Sequence, residues 1–558
     1  MPKTILVERD VAMQTRDGVT LRADVYRPDT PEPLPVLLQR TPYGKGFSQI
    51  PFALMAAERG YAVVIQDTRG RWNSEGERYP FIYEKNDGYD TVEWAAHQPW
   101  ANGKVGMFGG SYVGYTQLAA AVTHPHSLVT LTPIVTFCDP HAVAESGGAP
   151  FLGVPVAWTL LVWAMLEIFR LPPAEQPPLM AQLIDLVDGM ASGETFRQLP
   201  LRNLPLIGEG GLTPFLMDSI PSPRRDALWQ GLHCPQREIN LPAFHIGGWY
   251  DIFIASTLRD FTAIRTQGHP QQKLLIGPWT HSVFESAVGE ADFGLQANGM
   301  FFIPEEMLFR WFDYWLKGMT NGAMDGSPIR IFVMGEQRWR DESEWPLART
   351  RFTPFYLHSS GAANTLHGDG LLSPEKPSIE AVDTFLYDPR NPTPTRGGAM
   401  LGWRGAMPDG VYDQRPVEAR PDVLVYTTPA LQNDMEVTGY LEVHLWAATT
   451  APETDFTAKL VDVHPDGYAQ NIQDGIVRVR PSAGEIQEHT IDLAATSNLF
   501  KAAHRIRLEI SSSNFPRFDR NLNTGSVQWQ EAELRPALQT ILHDAEHPSH
   551  IILPIIPR

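Results

Sequence analysis

Residues Val105–Ala121 read VGMFGGSYVGYTQLAAA. An apolar run of strand length enters two glycines and a serine, and leaves through residues suited to a helix. A lone Gly-Gly-Ser is most often a tight turn. Between a strand and a helix it has a second reading, a nucleophile elbow that holds the serine on a strained corner with its hydroxyl exposed. The general elbow pattern is G-x-S-x-G. Here the second residue after Ser111 is Val113, and the glycine comes one position later, at Gly114. The partners such a serine requires must decide between the two readings.

Outward from this stretch, the first third of the chain alternates strand-like and helix-like segments. PVLLQRTPY (Pro35–Tyr43), YAVVIQDTRG (Tyr61–Gly70) and SLVTLTPIVT from Ser127 are apolar runs, with helix candidates at Phe52–Arg59 and Gly88–His97 between them. This rhythm predicts a largely parallel sheet covered on both faces. From Val143 to Pro235 proline-jointed helical pieces (Val156–Arg170, Pro178–Met190) replace it. Strands return at Pro242–Trp249 and Gln272–Trp279, and a helix follows over Pro304–Lys317, opened by proline and closed by Gly318. Its predicted apolar face is Met307, Leu308, Trp311, Phe312 and Trp315. After Trp345 the period becomes two, as in LEVHL (Leu441–Leu445) and RIRLEI (Arg505–Ile510), which predicts an antiparallel sandwich. The expected units are an interrupted α/β domain (1–143 and 236–345), a helical cap (144–235) and a C-terminal β-sandwich (346–558).

Bulk composition narrows the function. At 558 residues the chain exceeds one ordinary core. A formal charge of −19 argues against nucleic acid or an anionic membrane as partner. Cys138 and Cys234 are too few for a disulfide framework and suit no zinc motif, so a reducing compartment is expected. MPKTILVERD has no signal-peptide stretch, and the protein is read as cytoplasmic. The uncharged segment Ser146–Leu166 is interrupted by Pro150 and Pro155. That leaves about 15 residues of helix, short of the ~20 a bilayer span needs. It reads as a helix packed over a cavity.

A serine hydroxyl needs a base, usually histidine, and an acid to orient it. In α/β hydrolases these follow in the order serine, acid, histidine. Downstream of Ser111, FHIGGWYDIF sets Asp251 just past one predicted strand, and LLIGPWTHS sets His281 just past the next. Alone, Asp251 reads as a helix N-cap and His281 as a loop histidine. Together they stand at the C-terminal strand ends where α/β sheets place their sites. Ser511–Ser513 lie in the sandwich without a strand-to-helix handover. His124 and His126 flank a turn proline, and His543, His547 and His550 read as a surface tail. None makes a metal constellation. The Tyr112 N–H, directly after the nucleophile, is one oxyanion donor. A second is expected from the loop RTPYGKG, where Tyr43 carries a hydroxyl but reads equally as a packing ring.

G-G-S-Y-V-G, with tyrosine after the serine, resembles the cocaine esterase and X-prolyl dipeptidyl-peptidase family of serine hydrolases. RDGVTLRADVYRP, RTPYGK, GWYDIF, GPWTHS, FTAKLVDV, SSSNFPRFDRN and EHPSHIILPI extend the likeness to its cocaine-esterase-like members outside the cap. The resemblance implies an α/β-hydrolase core with an inserted helical cap and a C-terminal jelly-roll sandwich. It implies Ser111 as nucleophile, Asp251 as triad acid, His281 as base and Tyr43 as side-chain oxyanion donor. Phe253 and Trp163 are implied in the acyl pocket, near which Trp158 and Phe151 are also expected. Residues Met400–Trp403 depart from the aromatic-leucine wall of that family.

The resulting expectation is a serine esterase that forms an acyl-enzyme with a small-molecule ester of bulky apolar or aromatic acyl group. No metal or organic cofactor is implied, and a homodimer is admitted without being fixed. Two other readings stand beside it. One is an amide-directed relative (α-amino-acid ester hydrolase, acylase or X-prolyl dipeptidyl-peptidase). The other, from a different class, is an inactive hydrolase-like binding module.

Overall fold

Strands β3 (Leu34–Thr41) and β4 (Ala62–Asp67) are buried from end to end. Successive side chains of a strand point to opposite faces. Val36, Leu38 and Val64 accordingly enter one apolar cluster, while Leu37, Val63 and Ile65 enter another. A strand with two apolar faces needs cover on both, which is why this sheet is sandwiched between helices. The computed structural model describes residues 4–557 other than 48, 220–222, 300–303, 403–406, 483 and 528, with the backbone alone at 223–225.

The sheet has ten strands. With β1 (Ile5–Gln14), β2 (Thr20–Pro28), β5 (Ala101–Gly110), β6 (Leu128–Ile134), β7 (Ala243–Gly248), β8 (Gln272–Gly277), β9 (Ile329–Val333) and β10 (Arg338–Glu342), its order is β1-β2-β4-β3-β5-β6-β7-β8-β9-β10. The run from β4 to β9 is parallel. β1, β2 and β10 are antiparallel additions at the edges, which the sequence rhythm does not reveal. Helices α1 (Ile50–Glu58), α2 (Glu84–Ala96) and α3 (Tyr112–Ala121) lie in the connections between these strands.

Between β6 and β7 the chain is mostly helical. α4 (Gly153–Arg170) is longer than the proline spacing predicts. Pro155 falls in its first turn, where the missing N–H costs nothing. The helix widens to a π-turn over Thr159–Ala164. By length and composition α4 could cross a membrane, but 56% of its apolar window is buried inside the protein. α5 (Gln176–Ser192) follows. One short ladder, Glu145–Ser146 with Ala149–Pro150, interrupts a region predicted to hold none.

After β7 come α6 (Ile254–Gln267) and α7 (Pro304–Lys317). The buried face of α7 is Leu308, Phe309, Trp311, Phe312 and Leu316. Met307 and Trp315 sit at its margin, so the face is rotated from the predicted one. Eleven strands then form one hydrogen-bonded sheet, ten along a single path and one branching from it, antiparallel except at Leu371–Thr427. Within it β11 (Met435–Thr449) pairs along its length with β14 (Gln487–Phe500), and β12 (Thr454–Val463) lies between β13 (Ala469–Val479) and β15 (Arg505–Ser511). Leu441, Val443 and Leu445 share a core with Ile506, Leu508 and Ile510, the alternation read from the sequence. A mixed cluster including Trp249, Tyr250, Phe332, Ala495 and Ile556 joins this sandwich to the α/β sheet.

Candidate active site

Ser111 stands where β5 hands over to α3, with φ 59° and ψ −128°. A non-glycine residue at such a φ is strained, and the surrounding packing must hold it there. The glycines explain how. A Cβ at Gly109 (φ 125°) would stand 2.4 Å from Val113 Cγ1, and one at Gly114 would stand 2.6 Å from Thr136 Cβ. Val113 therefore fills the space that Gly109 leaves, and Gly114 lets α3 approach the segment after β6. The departure from G-x-S-x-G is thus a change in which position packs. At the start of α3, Gly114 and Tyr115 donate to Ser111 O, which leaves the Tyr112 N–H without an acceptor inside the helix.

The side chain of Tyr112 is buried and engaged elsewhere. Its hydroxyl donates to Glu84 Oε1 (2.8 Å) and accepts from Phe81 N (2.9 Å), and Glu84 is paired in turn with the buried Arg40. Burial pushes the Glu84 carboxyl up and the Tyr112 hydroxyl well above its ordinary value. This tyrosine anchors the elbow through its ring and hydroxyl.

Asp251 follows β7 and His281 follows β8, at neighbouring C-terminal ends of parallel strands. His281 Nδ1 lies 2.7 Å from Asp251 Oδ1, and the carboxylate is wholly buried. Among the described residues the other oxygen, Oδ2, has no hydrogen-bond partner, so His281 is the only side chain bonded to this carboxylate. Ser111 and His281 line one cavity without a direct hydrogen bond between them. The Ser111 hydroxyl is directed instead toward Tyr43. Such bonds are often long until a substrate tightens them.

Tyr43 sits on the loop after β3. Burial raises its hydroxyl above the ordinary value, against hydrogen bonds from the Trp158 indole, the Ser111 hydroxyl and the Tyr112 backbone N–H. The phenol stays protonated and able to donate. Arg71 Nε (3.0 Å) and Trp72 Nε1 (3.1 Å) both donate to Pro42 O, and Arg71 Nη2 also reaches Val162 O on α4. Burial lowers the Arg71 guanidinium to about 10. Lys45 is tied to Asp67 through both its backbone N–H and its ammonium. The segment Asp67–Trp72 at the end of β4 thus clamps the RTPYGK loop, a role not legible in the sequence because the two segments meet only once β3 and β4 pair side by side.

The cavity wall is mainly aromatic: Tyr43, Phe81, Phe137, Trp158, Phe215 and Phe253. Phe253 meets His281 edge to face, ring centroids 5.6 Å apart. Two expected pocket residues stand elsewhere. Phe151 stacks on Phe518 at 5.0 Å and bridges to it, at the junction of cap and sandwich. Trp163 is buried beside Trp158, with the Arg71 guanidinium 4.2 Å over its ring, and does not line the cavity. Leu401 does line it, in a segment whose sequence departs from the expected wall; Trp403 lies outside the described residues. Asp409, which sequence reasoning also missed, accepts from Thr280 beside His281, and burial pushes its carboxyl up.

Fold and site together define a serine hydrolase of the α/β-hydrolase class. Residues 17–283 match the X-Pro dipeptidyl-peptidase (S15 family) model, and residues 321–552 match the X-Pro dipeptidyl-peptidase C-terminal non-catalytic domain. A cocaine esterase of Rhodococcus sp. (strain MB1 Bresler) is 41% identical over 99% of both chains. Among solved structures, an α-amino acid ester hydrolase superposes with a TM-score of 0.80 at 23% identity, covering 99% of this chain and 97% of its own. An aminopeptidase from the marine sediment archaeon Thaumarchaeota archaeon gives 0.78 at 22%, covering 100% and 97%. The chain belongs to the X-Pro dipeptidyl-peptidase (S15) family, as a cocaine-esterase-like member. It is a serine ester hydrolase.

Proposed function

We propose that the protein hydrolyses carboxylic esters with a bulky apolar or aromatic acyl group, through an acyl-enzyme on Ser111. His281 takes the Ser111 proton, and Asp251 fixes the imidazole and stabilises the imidazolium that forms. The Tyr43 hydroxyl and the Tyr112 N–H hold the tetrahedral oxyanion. His281 then returns the proton to the leaving alcohol, activates water, and releases the acid. The carrying observation is the wall of Phe81, Phe137, Phe215, Phe253 and Trp158 around Ser111 and His281. A cavity with so little polar surface favours an apolar acyl group. It supports an ester over the ammonium-bearing substrates of amide-directed relatives, because no carboxylate is among its lining residues. We assign the catalytic work to 1–143 and 236–345, the pocket roof to 144–235, and the support of the GWYD loop to 346–558. The substrate is a small molecule, met in the cytoplasm without nucleic acid or membrane. A panel of benzoyl, butyryl and acetyl esters beside an X-Pro anilide tests the reading. Benzoyl esters are expected to give the highest kcat/KM; preferential cleavage of the anilide would contradict it.

A further inference from the structure

Away from the active site, the open end of the β12–β15 ladder gathers three side chains that can donate to a metal. Asp462 pairs with Ile506 and Val463 with Arg505. One step further, this register sets His464 opposite His504. Asp462 and His464, two apart, share a face. The two imidazole rings have centroids 4.5 Å apart at 39°, and His504 Nδ1 lies 2.8 Å from Asp462 Oδ1. One donor atom from each of the three residues lies within 4.8 Å of one from each of the others. The sequence shows no such motif, because His504 comes from the turn that leads into a different strand.

The chemistry of the set favours a cation. Asp462 is buried, whereas the two imidazoles remain partly open to solvent. His504 Nδ1 and Asp462 Oδ1 stand 2.8 Å apart, so an ion that takes the place of the hydrogen between them can be ligated by both. His464 makes no hydrogen bond through its ring among the described residues; it packs on His504 and, at 5.3 Å, on Tyr468.

We propose that Asp462, His464 and His504 form a binding site for a divalent transition-metal ion, with zinc as the ion that two imidazoles and one carboxylate suit. The site closes the hairpin between β12 and β13, whose tip is already held by His464 N donating to Tyr468 O (2.8 Å). Its effect would reach the catalytic loop by a short route. On β13, Asn471 O accepts from the Tyr250 hydroxyl (2.9 Å) and Gln473 Nε2 donates to Trp249 O (2.6 Å), both beside Asp251. The ion is thus a brace for the strand that supports the GWYD loop.

The test uses the full chain, stripped with EDTA and dialysed, then titrated with zinc chloride by calorimetry and thermal unfolding. The expected result is one equivalent bound with a rise in Tm. Binding should be at least tenfold weaker in both His464→Ala and His464→Phe, and unchanged in His444→Ala. His444 belongs to a separate imidazole pair with His550, flanked by Glu442 and Glu488. Circular dichroism of each variant in EDTA checks that the fold is retained, and the Phe substitution preserves the ring packing. No zinc binding by the wild-type chain would overturn the proposal. So would binding that survives both His464 substitutions, or that is lost equally in His444→Ala.

Discussion

A single hydroxyl separates the two readings of Tyr43. Phenylalanine keeps the ring against Trp158 and the cavity wall, and removes the only group that can donate to an oxyanion. Losing one such donor typically costs about 3–4 kcal/mol of transition-state stabilisation, two to three decades in rate. Tyr43→Phe is therefore expected to lower kcat by about 10²–10³-fold, with KM and Tm little changed. A packing ring would give the opposite pattern: near-normal kcat for Phe, and a stability loss only for Tyr43→Ala. Steady-state kinetics with a thermal melt decide it. The phenol is suited to the task because burial keeps its proton in place.

At the scale of elements, the elbow depends on packing as much as on the serine. A methyl group at Gly114 would meet Thr136 Cβ at 2.6 Å, with no flexible side-chain end to yield. Gly114→Ala should push α3 away from the segment after β6 and disturb the Ser111 corner. Overpacking of this kind costs about 1–3 kcal/mol, so a lower Tm and a reduced kcat are expected together. Unchanged values of both would show that the corner is not held from this side. Much of this level was legible in the sequence. The strands that end at Gly110, Gly248 and Gly277 were marked by apolar runs closing in glycine, and Asp251 and His281 followed from their places after two of those strands. What escaped was long-range. Arg71 meets Pro42 only because β3 and β4 pair side by side, and Glu84 reaches Tyr112 only because α2 packs on α3. Phe151 was misread because an aromatic near a pocket in sequence can face the adjoining domain in space. The antiparallel edge strands were missed because charged residues break up their pattern, as in ILVERDVAMQ and RWRDE, and leave little periodic signal.

Across the whole molecule, the sandwich contributes titratable groups that set stability. His543, read from the sequence as part of a surface tail, is buried between two carboxylates: Nε2 lies 2.9 Å from Asp383 Oδ2, and Nδ1 lies 3.1 Å from Glu380 Oε2. Burial works against its proton, but the bonds to Asp383 and Glu380 outweigh it and raise the pKa above the ordinary 6.5. A raised folded-state value means that the stabilisation is complete below the unfolded value and is lost as pH rises through the folded one. The Tm of the wild type should therefore fall more steeply above about pH 6.5 than that of His543→Gln. Parallel melting curves against pH would show that the proton is not held by this pair.

The central claim is that Ser111 is the nucleophile of this ester hydrolase. Incubation with a fluorophosphonate, followed by intact mass and peptide mapping, tests it most directly. The expected result is one phosphonyl adduct per chain, located on Ser111, with loss of esterase activity in step with labelling and no adduct in Ser111→Ala. An adduct on another residue, or full activity in the labelled protein, would contradict it.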